Sequence, residues 1–326
     1  MNRCLNVFFA IVLLCSCKNE ETKMDANDDG LVFNRLDVAL ATYASLEDEQ
    51  RSIVVDSLGD VFKAWFYVQG KTEFNDSALI EYSESDAMRV FYEDICSKFS
   101  NITPIDKVIL KLKENILNEF SNNYFYELYT IVSPYNQSIF IADSMMFVGL
   151  NHYLGSDYPG YGYFEPYQRI VKTPQHLPYD IAESYLLCEY PYISSSDETV
   201  LNTLLYNGVI IYAMMQLVPN ADLAEALGYS KEQLLWAERN EKDAWNAIIS
   251  RNLLYSTNKH DANRLVNPSP ATSILHQESP GRLGRYIGYK IVKSYMKNHS
   301  NKNLEWLLSP DFYNSIQSLI DSKYGL

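Results

Sequence analysis

The chain has 326 residues, 47% hydrophobic and 13% aromatic, enough to bury a sizeable core. Its formal charge of −14 excludes an electrostatic hold on nucleic acid and disfavours adhesion to anionic lipid. Five cysteines imply no disulfide framework.

The first element is a leader. "MNRCLNVFFAIVLLCSCKNEE" carries one Arg and then an apolar run from Leu5 to about Cys15. A membrane span needs about 20 apolar residues, so this run suits the core of a secretory signal instead. Leu14-Cys15-Ser16-Cys17 has the form of a bacterial lipobox. Residues 1–16 are therefore expected to be a lipoprotein signal peptide, with Cys17 the lipidated first residue of the mature chain. Residues 17–30 are acidic and end in a Gly, the composition of a solvated, disordered tether. The partner this implies is a membrane, reached through a lipid anchor. Cys96 and Cys188 fall in apolar helical patterns and are expected to be buried free thiols.

Residues 31–326 are expected to form a single α-rich domain. A helix is predicted over 45–70. Ser45 and Asp48 suit a capping box, Ile53 to Phe66 form an apolar stripe, and Gly70 ends it. A second helix is predicted near 86–98. A third starts at Thr103-Pro104, with Thr as N-cap and Pro in the first turn. "YFYELYTIVS" and "SIFIADSMMFVGL" are β-branched and aromatic and read as an antiparallel strand pair joined by "PYNQ". "NHYLGSDYPGYGYFEPY" is a loop of Tyr, Gly and Pro. Helices are predicted at about 178–189, 198–218, 230–251, 280–298 and 310–323, with a capping box at Ser230 and Gln233. The class is α+β, predominantly α-helical.

Chemistry-bearing motifs are sparse. "QESPGRLGRYIGYKIVKSYM" has neither the spacing nor the Lys-Ser/Thr of a phosphate loop. Ser279-Pro280 looks like an N-cap with Pro at the first helical position. Gly281, Gly284 and Gly288 would then share one side of a helix. Each costs about 1 kcal/mol relative to Ala unless a neighbour packs close. Arg282 suits an acidic partner such as Glu278. The five histidines lack metal-ligand spacing, and no nucleophile elbow occurs. No catalytic residue, metal ligand or cofactor is therefore assigned. A glycosidase-type carboxylate pair, far apart in sequence, stays open and with it a surface hydrolase. Tyr153, Tyr158, Tyr161 and Tyr163 could form a glycan- or protein-binding surface, or cap a sheet edge.

Several stretches together resemble the gliding-motility lipoprotein GldB family of bacterial envelope proteins. They are "FNRLDVALATY", "YTIVSPYNQSIFI", "LNHYLGSDYPGY", "NGVIIYAMMQLVP", "GYSKEQLLWAERNEKDAWNAIISRNLLYST", "ESPGRLGRYIGYKIVKSYM" and a terminal "SKYGL". They depart from the family at Asn151, where it tends to have Asp, and at Asn207, where it tends to have Glu. The resemblance implies an envelope lipoprotein of the outer membrane, tied to motility and secretion machinery and partnered by envelope proteins. Glu278, Pro280, Gly281, Arg282, Gly284 and Gly288 are its signature positions here. It carries over no catalytic residue. A second resemblance runs to zinc peptidases of the thermolysin type. Ala182-Glu183-Ser184-Tyr185-Leu186, followed by Asn207-Gly208, would keep the base at Glu183 and lose all three metal ligands. It implies a degenerate zincin-like scaffold without its metal.

Overall fold

The computed structural model describes residues 32–70, 74–133 and 136–325. The expected signal peptide and tether, Cys17, Pro134-Tyr135 and residues 71–73 and 326 lie outside them. The described residues form two compact units. The first runs to Leu110 and includes Tyr126–Leu154; the second comprises Lys111–Phe125 and Gly155 onward. No Pro- or Ser-rich linker marks the division, which falls inside a helix.

Unit 1 opens with strand β1 (Phe33–Asn34), then helices α1 (Leu36–Thr42), α2 (Asp48–Val68), α3 (Asp76–Ser83) and α4 (Asp86–Lys98). Helix α5 (Thr103–Glu119) begins here and ends in unit 2. Three more strands follow: β2 (Glu127–Ile131), β3 (Ile139–Ala142) and β4 (Met145–Gly149). The class is α+β with a small mixed sheet of order β1-β2-β4-β3. The expected antiparallel pair needs correcting. Strands β1 and β2 are parallel, as are β2 and β4, while β3 and β4 are antiparallel. The run read as one strand folds back at Asp143, whose φ of 50° is left-handed. Asp tolerates that conformation, but Asp-Ser is a weak hairpin signal beside Asn-Gly.

Helix α2 lays Val54, Val61, Phe62, Trp65 and Phe66 into the unit 1 core, while Ile53 faces solvent. Trp65 meets Phe140 and Phe147 of the sheet at ring-centroid distances of 5.6 and 5.5 Å. The α2 capping box is formed by Glu47 and Gln50 instead of Ser45 and Asp48. At α5, the Asn101 side chain accepts from the Thr103 amide, so Thr103 sits inside the helix instead of capping it. Two buried carboxylates tie the sheet to the helices. Asp106 of α5 accepts from the amides of Val32 and Phe33 at 3.0 Å. Asp37 is fully buried, accepts from Arg35 Nε and Nη2 at 2.9 and 2.8 Å, and accepts from the Thr130 hydroxyl.

Unit 2 holds α6 (Pro166–Arg169), α7 (Leu177–Glu189), α8 (Val200–Leu217), α9 (Leu223–Leu227), α10 (Lys231–Arg239) and α11 (Glu241–Ser250). It continues through α12 (Lys259–Val266), α13 (Leu283–Asn298), α14 (Leu304–Leu307), α15 (Pro310–Tyr313) and α16 (Ile316–Ser322). The helix expected over 230–251 breaks at Asn240, whose side chain bonds back to the Trp236 carbonyl at 2.8 Å. The Ser230–Gln233 capping box is present. Helix α8 is apolar on almost every side because neighbours surround it: α7, α9, α12, α13 and α15 all pack on it.

The α8–α13 contact is the closest of these. A Cβ on Gly208 would overlap the backbone of Gly288, and one on Gly288 would overlap the Leu204 carbonyl oxygen. Gly284 has Leu204 Cδ2 at 2.7 Å and the Leu265 oxygen at 2.8 Å from the place a Cβ would take. The glycine side of α13 thus packs, and the backbone approach offsets the helix penalty of glycine. Gly288→Ala should destabilise the protein by roughly 2–3 kcal/mol through overpacking against backbone. Gly59→Ala, in α2 where nothing lies within 4 Å of the new methyl, should stabilise by about 0.5–1 kcal/mol. Denaturant melts of both variants check the pair; equal responses would show that glycine's helix propensity, not close packing, governs both sites.

Candidate functional site

Three polar residues on one side of α7 build a charged cluster inside unit 2. His176, Asp180 and Glu183 are spaced four and three apart, which stacks them along one helical face. His176 is 5% exposed and lies between two carboxylates. Its Nε2 is 3.3 Å from Asp180 Oδ1 and its Nδ1 is 3.2 Å from Glu225 Oε2. Burial alone would push the imidazolium down, but Asp180 and Glu225 outweigh it and lift the pKa to about 9. Lys172 responds in the opposite sense: burial lowers its ammonium to about 8, with Asp180 working against the drop. Glu183 is paired with Arg285 at the start of α13. Tyr229 is buried nearby, and burial raises its phenol well above the ordinary value while Arg282 and Arg285 pull it back.

The α13 entrance differs from the expected Ser279-Pro280 cap. The helix begins at Leu283, and Arg282 precedes it in a left-handed conformation with φ 58°. Thr272 organises the turn. Its hydroxyl donates to the Pro280 carbonyl at 2.9 Å and accepts from the Leu283 amide at 3.0 Å. Ser279 Oγ accepts from the Thr272 amide at 3.1 Å instead of capping α13. A Cβ on Gly281 would overlap the Ser269 carbonyl oxygen, so this glycine serves the turn, not the helix face. Glu278 is exposed, and Arg282 is instead drawn by Glu183 and Asp180, with burial and Arg285 lowering its pKa.

The tyrosine surface also needs correction. Tyr153 and Tyr161 are 1% and 0% exposed, so neither can present a ring to a ligand. Tyr153 belongs to unit 1 and the other three to unit 2. Tyr161 packs edge-on against Tyr158 and Phe164, with ring centroids 5.0 and 5.7 Å apart. Lys172 lies over Phe164 at 3.9 Å. Tyr158 is half-buried, and Tyr163, at 85%, is exposed. Cys188 is exposed and Cys96 half-buried, against the expectation that both are buried; neither is in a disulfide.

At the peptidase-like positions, Ala182 and Leu186 are fully buried, and the Asn207 amide donates back to Thr203 of its own helix at 2.9 Å. Among the described residues no group of three or more His, Cys, Asp or Glu is arranged to hold a metal ion. The His176–Asp180–Glu225 group carries no motif in the sequence. The spacing of 176, 180 and 183 was visible in the chain, but Glu225 and Tyr229 join only through folding.

A comparison with protein families matches residues 17–325 to the family described as gliding motility protein GldB. The chain belongs to that family. Searches of curated proteins and of solved structures returned no match. Several of the segments that resemble the GldB family are joined by single carboxylates. Glu241 accepts from the Tyr286 and Tyr324 hydroxyls, each at 2.9 Å, and lies 3.0 Å from Lys290 Nζ. It thus ties "NEKDAW" to "RYIGYK" and to the terminal "SKYGL". In "FNRLD", Arg35 and Asp37 form the buried pair of unit 1. Asn151 pins Ser133 by donating to its carbonyl and accepting from its amide, both at 2.9 Å. An Asp here would lose the donated bond.

The cluster makes stability depend on pH. His176 has a folded pKa near 9, above its ordinary 6.5. Its contribution is therefore complete below pH 6.5 and is lost as pH rises through about 9. The loss should be on the order of 2 kcal/mol. Denaturant melts across this range should show the decline in the parent and not in His176→Gln; an identical slope in both assigns the decline to other groups.

Proposed function

We propose that this protein is a non-catalytic lipoprotein of the cell envelope, anchored through Cys17 in the outer membrane. It acts by contacts with other envelope proteins in motility- and secretion-linked machinery. One observation carries the anchoring: the family match starts at residue 17, the cysteine that the lipobox pattern makes the first residue of the mature chain. Support for binding over catalysis comes from α7. Glu183, the one retained position of the peptidase-like pattern, is held by Arg285, and its neighbours on that pattern are buried apolar side chains. The burial of Tyr153 and Tyr161 leaves the glycan-binding alternative only Tyr158 and Tyr163 of its four tyrosines.

The anchor is tested by Cys17→Ala. Several acyl chains hold a protein on a membrane where one does so only marginally. The variant should stop incorporating labelled palmitate and should move to soluble or unprocessed forms. Absence of label from the parent, with both proteins fractionating alike, would end the lipoprotein proposal.

A further inference from the structure

Strand β3 ends the sheet of unit 1 and pairs with β4 on one side only. The ladder tells which of its backbone groups look outward. The Gly149 amide donates to the Ser138 carbonyl at 2.8 Å, so Ser138 and Gly149 form a hydrogen-bonded pair. In an antiparallel ladder such pairs alternate with non-bonded ones. Phe140 and Ala142 therefore bond to Phe147 and Met145, while Ile139 and Ile141 turn their amides and carbonyls away from β4. The Ile139 carbonyl is held by Gln137 Nε2 at 2.7 Å. The Ile139 amide and both the amide and the carbonyl of Ile141 have no hydrogen-bond partner among the described residues. Phe140, Ile141 and Ala142 are half-buried, so this edge reaches solvent.

The opposite edge of the sheet is closed. Strand β1 is only two residues long, Asp106 takes the amides of Val32 and Phe33, and Arg35 follows at once. Edges that stay single carry such guards, or a Pro, a Lys or a bulge. Strand β3 has none of them: Ile139 to Ala142 are uncharged and apolar throughout. From below, Trp65 of α2 braces Phe140 at a ring-centroid distance of 5.6 Å. Free amides and a free carbonyl along an extended strand are complementary to one kind of ligand, a second strand that answers each donor with an acceptor. An ionised side chain on that strand would be set against Phe140 or Ile141, so the match is an uncharged strand of β-branched and aromatic residues. A second copy of the chain fits less well, because four residues a side bury well under the roughly 1,000 Å² of a stable dimer.

We propose that the free edge of β3 is a docking site for an extended, uncharged strand of a partner protein, which adds to the sheet beside Ile139 and Ile141. This rests on the reading that the protein works through contacts; the anchor is tested separately at Cys17, so failure of one does not carry over to the other. Detergent-solubilised full-length protein is titrated with a fluorescein-labelled peptide, Thr-Val-Tyr-Val-Thr, and with a twin N-methylated at every residue. Fluorescence anisotropy should show saturable binding of the first and none of the second. Hydrogen exchange should find the Ile141 amide open in the free protein and protected by the peptide. Ile141→Pro removes an outward N–H and no bond to β4, so it should weaken binding about tenfold with the sheet intact. Ile141→Lys keeps the backbone and guards the edge with a charge; it should also weaken binding, and it decides the matter if the proline variant fails to fold. No saturable binding, equal binding of the methylated twin, binding unchanged in Ile141→Lys, or an Ile141 amide already protected in the free protein overturns the proposal. A dimer seen by light scattering and dissolved by Ile141→Lys would give the edge to a second copy and overturn it as well.

Discussion

The backbone contact between Gly208 of α8 and Gly288 of α13 sets the geometry of unit 2. Neither position has room for a methyl group, so the two helices are fixed in register as well as in distance. One turn earlier on α13, that register brings Arg285 to Glu183 of α7. Around the same level it brings Tyr286 and Lys290 to Glu241 of α11. A shift of either helix by one residue would rotate these side chains by about 100° and break both links. Close packing of the smallest residues thus decides which charged groups meet.

Charge within this acidic chain is of two kinds. Most carboxylates are on exposed helix surfaces, where pairs such as Lys63–Asp60 add little. A few are buried or, like Glu241, half-buried, and fully employed. Asp37 is held by Arg35 and Thr130, Asp106 by two amides of β1, and Glu241 by two phenols and an ammonium. Removing one partner from such a group leaves a charge in a poor solvent, which costs far more than the pair contributes.

Local signals in the sequence were read well where they act over a few residues. The α4 span, the Ser230–Gln233 box and the stop of α2 just before Gly70 depend on neighbours three or four positions away. The glycine spacing of α13 implied a close neighbour, though not that it would be Gly208. Errors arose where a distant group competed with the local one. Ser279 fits a cap by composition, but Thr272 captures its hydroxyl, and the helix starts later. Tyr153 and Tyr161 have polar tips that suit a surface, yet their rings supply core area. His176 carries no motif of its own. Its partner Glu225 arrives through the short helix α9, which periodicity does not reveal.

The clamp on Glu241 also bears on the order in which the chain takes shape. Tyr324 reaches Glu241 across 83 residues, and Gly325 is packed beneath the Trp245 ring. Helix α16 in turn packs on α13. Synthesis delivers these residues after both α11 and α13. Until they emerge, Glu241 lacks one of its phenols and α13 lacks its covering helix, so this part of unit 2 closes late. Such long-range closure slows folding and prolongs the extended state. Loss of the Tyr324 link would therefore loosen α11, α13 and α16 together.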